Sequence, residues 1–259
     1  RAASWRAHPA QMTSLSKEKI IVALDMPDSL SAIRLVDDLA DAICWVKVGL
    51  QLFTAEGPAI VKILKERRLK VFLDLKLHDI PNTTREAMRS AVSLGVDMAT
   101  IHLSGGGRMV RSAVEAAAGT PLLVLGVTVL TSFDEAELHG IGVLRTPEEQ
   151  VAGLVALGHQ FGLRGVVCSP REIAPLRAKF GDSLTIVTPG VRPAGSASDD
   201  QQRVMTPAEA IRAGADHLVI GRPITAAKSP REAALRIADE IGGIASEETG
   251  FSPARRGDG

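Results

Sequence analysis

The sequence predicts a single-domain α/β protein, a closed (β/α)8 TIM barrel, and three observations predict it. Short apolar runs rich in branched residues alternate with longer stretches of helical periodicity, the pattern of repeated βα units. Eight such runs occur with no compositional break that would open a second domain. Polar and charged residues collect just after the runs, where parallel strands present their loops and ligands.

The predicted strands are, in order, Ile20 to Leu24, Trp45 to Val48, Val71 to Leu75, Met98 to Leu103, Leu122 to Val127, Gly165 to Cys168, Leu184 to Val187 and His217 to Ile220. Helical periodicity fills the intervals, as in Ser29 to Leu39, Pro58 to Arg67, Thr84 to Leu94, Pro147 to Phe161 and Pro207 to Ala213. Apolar residues recurring at three- and four-residue spacing give each helix one face to lay on the sheet. The barrel is expected to occupy residues 17–246. Residues 1–16 read as an extension that includes a natural start at Met12, and 247–259, mixing Gly, Ser, Pro and charge without period, as a loose tail.

Composition bounds the partners. With 45% hydrophobic residues in 259, the chain can bury a large core. Lys plus Arg equals Asp plus Glu at 30 each, so no net field draws nucleic acid or an anionic membrane, and any anion site must be local. No apolar run reaches the roughly 18 residues needed to span a bilayer, and the opening residues lack the apolar centre of a signal peptide. Cys44 and Cys168 lie far apart inside apolar runs, which suits buried thiols in a reducing, cytoplasmic setting rather than a disulfide framework.

The most informative stretch is Val71-Phe-Leu-Asp74-Leu-Lys76-Leu-His-Asp79-Ile-Pro-Asn-Thr83. Along a strand, side chains alternate faces, so Asp74 and Lys76 emerge together while Leu73, Leu75 and Leu77 take the opposite face. Asp79 follows in the loop. Asp25 ends the first strand and Lys47 lies on the second, so carboxylates and ammonium groups from three consecutive strands are expected to converge. Burying that much charge for stability alone would be costly, which favours a chemical role. Such an array offers negative charge to one part of a ligand and a proton donor to another, with neither metal nor organic cofactor. His102, alone at its strand end, reads as structural.

The loops after the last two strands supply Thr188-Pro-Gly-Val-Arg192 and Ile220-Gly221-Arg222-Pro-Ile224. Glycines expose backbone N–H groups, each loop delivers one guanidinium, and barrels often bind phosphate there. Between the arginines, Pro193 to Gln202 is small and polar, as a lid would be, and Gln201 or Gln202 could reach a ligand beneath it.

These residues, in this order, resemble the orotidine 5′-phosphate decarboxylase family. The resemblance runs from about Ile20 to Ile241, and the long form of the Asp74-Leu-Lys76-Leu-His-Asp79 motif is similar to the bacterial branch. It implies conversion of OMP to UMP and CO2 without a cofactor. It implies that Lys47, Asp74, Lys76 and Asp79 form a charged tetrad with Lys76 as proton donor, and that Asp25 and Lys47 hold the ribose hydroxyls. Thr131 and a partner's copy of Thr83 would line the nucleotide site, while Arg192, Gln201, Gly221 and Arg222 address the phosphate region. It also implies a homodimer in which Asp79 serves the neighbouring subunit.

Other readings stay open at this point. A sugar-phosphate lyase of the same barrel type would need Mg²⁺ and a further acidic ligand after the second strand, where Gly49-Leu-Gln51 offers an amide and Glu56 lies farther along. A Schiff-base aldolase would need a neutral lysine, whereas Lys76 between carboxylates should remain an ammonium. A non-catalytic nucleotide-binding module would bind UMP and release no CO2.

Overall fold

The structure, a computed structural model, describes residues 15–193 and 205–248. Eight parallel strands close in chain order into one barrel: β1 (Ile20–Ala23), β2 (Trp45–Gly49), β3 (Lys70–Leu77), β4 (Met98–His102), β5 (Leu123–Val127), β6 (Gly165–Val167), β7 (Thr185–Pro189) and β8 (His217–Ile220). β8 pairs back onto β1 through Ile21 and Val219. The expected (β/α)8 architecture is therefore the observed one, with each strand end displaced by no more than two residues.

Alternation sorts the side chains into two cores. Ile20, Val22, Leu24, Val46, Val48, Val71 and Leu73 face outward and bury against the helices. Ile21, Ala23, Trp45, Phe72, Met98, Leu125, Val187 and Val219 face inward and fill the barrel. The pairing of Ala23 with Lys47 and of Lys47 with Phe72 then fixes what stands above that filling. Lys47 follows Trp45 on the inner face of β2, and Asp74 and Lys76 follow Phe72 on that of β3.

Local signals start the helices. Asp28 accepts a hydrogen bond from the Ser31 N–H at 2.7 Å ahead of α1 (Ser29–Leu39). Thr146 and Thr206 form capping boxes with Glu149 and Glu209 before the helices Pro147–Gln160 and Pro207–Arg212. Each cap stabilises its helix by about 1 kcal/mol. The helix after β3 differs from expectation: it runs Pro81–Ser93, three residues earlier than the periodicity indicates. Proline has a fixed helical φ and no N–H to leave unpaired, so Pro81 opens the first turn instead of blocking it.

The N-terminal end of the barrel is closed by two matching latches. Asp97 accepts from the Val71 N–H at 2.7 Å and from Lys65 at 2.7 Å; Asp216 accepts from the Ile186 N–H at 2.7 Å and from Arg177 at 2.7 Å. Glu18, in a helical turn over residues 15–18, takes hydrogen bonds from Trp45 and Lys70. These ion pairs join neighbouring βα units at the end of the barrel away from the polar strand termini. Cys168 is buried, Cys44 only half-buried, and both are free thiols. Among the described residues, no helix is long and apolar enough to cross a membrane.

Candidate active site

At the C-terminal end of the strands, four charged side chains form one alternating chain. The Lys47 ammonium donates to Asp25 Oδ1 at 3.0 Å and stands 3.8 Å from Asp74 Oδ2. The Lys76 ammonium donates to both oxygens of Asp74 at 2.9 Å. Lys47 and Asp74 are buried, with side chains only 11% and 12% exposed. Lys76 is more open at 30%, which leaves its charge reachable from the cavity above. Opposite charges at these distances attract and fix one another in place.

A cavity of about 340 Å³ covers this chain. Asp25, Lys47, Asp74, Lys76, Thr131 and Gly221 line it, above an apolar floor that includes Phe72, Val127 and Val219. Six of the residues expected at the site thus share one chamber, of a size that suits a small nucleotide. Gly190, with φ of +81°, makes the turn after β7 that only glycine adopts without strain, and it also lines the chamber. Arg192 and Arg222 lie two residues beyond Gly190 and one beyond Gly221, outside the cavity walls. Gln201 lies outside the described residues, as do residues 1–14 and 249–259 and all but the first residue of the expected Pro193 to Gln202 lid.

Asp79 and Thr83 stand apart. Both are exposed, and Asp79 Oδ1 accepts from the Ile80 N–H at 2.6 Å instead of reaching the lysines. The structure therefore brings Asp25, Lys47, Asp74 and Lys76 together within one chain and leaves Asp79 outside that cluster.

Two site features escaped sequence reasoning. Gly49 has no Cβ, and one placed there would sit 2.9 Å from Lys47 Nζ and 3.3 Å from Asp25 Oδ1. Its position directly after the Lys47 strand was the only sequence signal. The other is a break in β3. Leu73 pairs with Ala99 but Leu77 pairs with Ile101, so β3 bulges between them, and Lys76 takes φ of +52°. A non-glycine residue in that region costs on the order of 1–3 kcal/mol, and surrounding contacts must hold it there. The alternation survives nonetheless: Leu73, Leu75 and Leu77 face an apolar hollow beneath Pro81–Ser93.

A larger hollow of about 650 Å³ adjoins the chamber through Val129, Leu130, Thr131, Pro189 and Gly190. Asp134, Glu135, Glu148 and Glu172 against a single Arg171 give it an acidic wall, unsuited to a phosphate. Burial pushes the Glu172 carboxyl above the usual range. His102 is half-buried, and burial, with the charges of His78 and Lys76, holds its imidazole below its ordinary value.

The match to a protein-family model decides the affiliation. The model described as orotidine 5′-phosphate decarboxylase / HUMPS family matches residues 18–237. The chain belongs to that family. Within it, the chain is 54% identical over 234 residues to the orotidine 5′-phosphate decarboxylase of Moorella thermoacetica, covering 87% of this chain and 93% of the relative. It is 52% identical over 225 residues to that of Halorhodospira halophila, covering 86% and 95%. The crystal structure of the decarboxylase from Lactobacillus acidophilus superposes with a TM-score of 0.78 at 36% identity, covering 86% of this chain and 99% of the other.

Proposed function

We propose that this chain is an orotidine 5′-phosphate decarboxylase, a carboxy-lyase that converts OMP to UMP and CO2 for pyrimidine synthesis in the cytoplasm. The observation that carries the reading is the alternating chain Asp25–Lys47–Asp74–Lys76 under a nucleotide-sized cavity.

Loss of CO2 from pyrimidine C6 leaves an electron pair in an sp² orbital that the ring delocalises poorly, so stabilisation must come from fixed charge. Lys76 is the group to supply it: its ammonium faces the developing carbanion and then delivers the proton to C6. A unit charge about 4 Å away contributes roughly 4 kcal/mol at an effective dielectric near 20. Enzymes lower barriers by about 8–23 kcal/mol, so one lysine is insufficient. The remainder is assigned to preorganisation of the Lys47–Asp74–Lys76 array, to Asp74 facing the departing carboxylate, and to binding energy from the distal phosphate. Asp25 and Lys47 hold the ribose, Thr131 lines the nucleotide site, and Arg192, Gln201, Gly221 and Arg222 address the phosphate.

Asp79 and Thr83 are read as belonging to the site of a second copy. Their exposure, and that of Ile80 between them at 67%, supports a homodimer with shared sites. The competing Mg²⁺-dependent lyase reading is weakened by Glu56, whose carboxylate accepts from the Ser29 N–H at 2.8 Å and is thereby committed to the start of α1.

An absorbance assay of purified protein with OMP, run with and without chelator, tests the proposal. CO2 release insensitive to chelator is expected. Binding of UMP with no turnover of OMP would make the chain a nucleotide-binding module instead.

A further inference from the structure

At the bulge in β3 the Lys76 N–H meets a side chain of β4. Thr100 Oγ1, on the inner face of β4, accepts from the Lys76 N–H at 2.9 Å. The same hydroxyl donates to Asp74 Oδ1 at 3.0 Å. Thr100 is 1% exposed, so no water competes for either bond.

The two bonds fix each other's direction. A hydroxyl that accepts from a backbone N–H has one proton of its own to give, and here a carboxylate oxygen is in place to receive it. Asp74 is thereby held through Oδ1, which leaves Oδ2 toward Lys47 and lets both oxygens meet the Lys76 ammonium. The same atom pins the backbone of Lys76 in its left-handed conformation, which sets where the ammonium points. A strained residue stays strained only where its surroundings over-determine it, and Thr100 is the contact that ties the strain to the charged chain.

We propose that Thr100 is a positioning residue of this active site, a neutral relay that orients the Asp74 carboxylate and the Lys76 side chain together. The inference rests on the decarboxylase reading given above. Thr100 is not among the residues that line the cavity over the charged chain; it acts through Asp74 and Lys76, so its loss should slow the chemical step and spare nucleotide binding.

The test compares Thr100→Val, which keeps the shape and removes the hydroxyl, with Thr100→Ser, which keeps the hydroxyl. kcat and KM for OMP, the dissociation constant for UMP and the thermal midpoint are measured on each. Loss of a hydrogen bond to a charged group predicts that Thr100→Val lowers kcat by about 10- to 100-fold, with KM and UMP affinity within about twofold of the unaltered protein. Thr100→Ser should restore most of kcat. An unchanged kcat in Thr100→Val overturns the inference. So does a loss in which kcat, UMP affinity and thermal midpoint fall together and serine restores nothing, since that is the mark of a packing role. If the unaltered protein releases no CO2 from OMP, the decarboxylase reading itself fails, and the inference falls with it.

Discussion

Lys76 donates to both carboxylate oxygens of Asp74 at 2.9 Å, although the two residues are separated by a single leucine on a strand that bulges at this point. The contact makes Asp74 the hinge of the charged chain, since its Oδ2 also stands 3.8 Å from Lys47. Removing the ammonium should therefore abolish chemistry without emptying the cavity. Lys76→Ala is expected to bind UMP near normally and to lose kcat by on the order of 10³-fold or more. Near-normal kcat would remove Lys76 from the role of acid.

Arg222 stands one residue beyond Gly221, a wall of the cavity. A guanidinium that meets the phosphate should contribute only when a phosphate is present. Arg222→Ala is expected to weaken OMP binding by about 10- to 100-fold and to leave turnover of phosphate-free orotidine unchanged. An equal effect on both substrates would be incompatible with a phosphate cradle in this loop.

Asp79 is exposed, and its carboxylate accepts from the Ile80 N–H of its own loop. If it completes a neighbour's site, two inactive variants can repair each other. Mixing Asp79→Ala with Lys76→Ala should regenerate activity in hybrid dimers, which carry one intact site. Continued inactivity after subunit exchange is demonstrated would rule out sharing.

Gly49 leaves room where a methyl group would stand 2.9 Å from the Lys47 ammonium. Lysine is flexible enough to withdraw, so Gly49→Ala should fold and pull Lys47 away from Asp25. With the ribose contacts disturbed, the expected result is a raised KM for OMP, about tenfold if one charged hydrogen bond is lost. Kinetics indistinguishable from the unaltered protein would show that the close approach is unimportant.

His217 is mostly buried, its Nδ1 facing the Glu18 carbonyl at 3.0 Å, and burial holds its imidazole below the ordinary value. The unfolded chain takes up a proton near pH 6.5 while the folded chain resists it. This contribution to stability is complete above about pH 6.5 and declines as pH falls from there through the lower folded value. The thermal midpoint should drop between pH 7 and pH 5, and drop less in His217→Gln, which can still donate to the carbonyl. Identical pH profiles would place the titration elsewhere.

The strands and most helices were legible because period-two and period-3.6 patterns are local properties of a chain, and burial against helices demands apolar runs of the observed length. Asp25, Lys47, Asp74 and Lys76 were legible as a set for the same reason: each ends or follows a strand, and parallel strands in a barrel deliver such residues to one rim. The expected start at Thr84 falls three residues late because a proline breaks a helix within its body yet suits its first turn, and only the conformation of Ile80 before Pro81 decides between the two.

By itself the sequence determined the barrel, the face on which Asp74 and Lys76 emerge, and the family affiliation, since all three follow from residue order. The tertiary structure alone decided that β3 bulges against β4, that Lys76 is held at φ of +52° with Thr100 bridging it to Asp74, and that Asp79 stays out of its own chain's cluster. Those outcomes depend on how two strands distant in sequence settle their register. Register is set by the sum of packing around the closed barrel, which no local stretch of residues encodes.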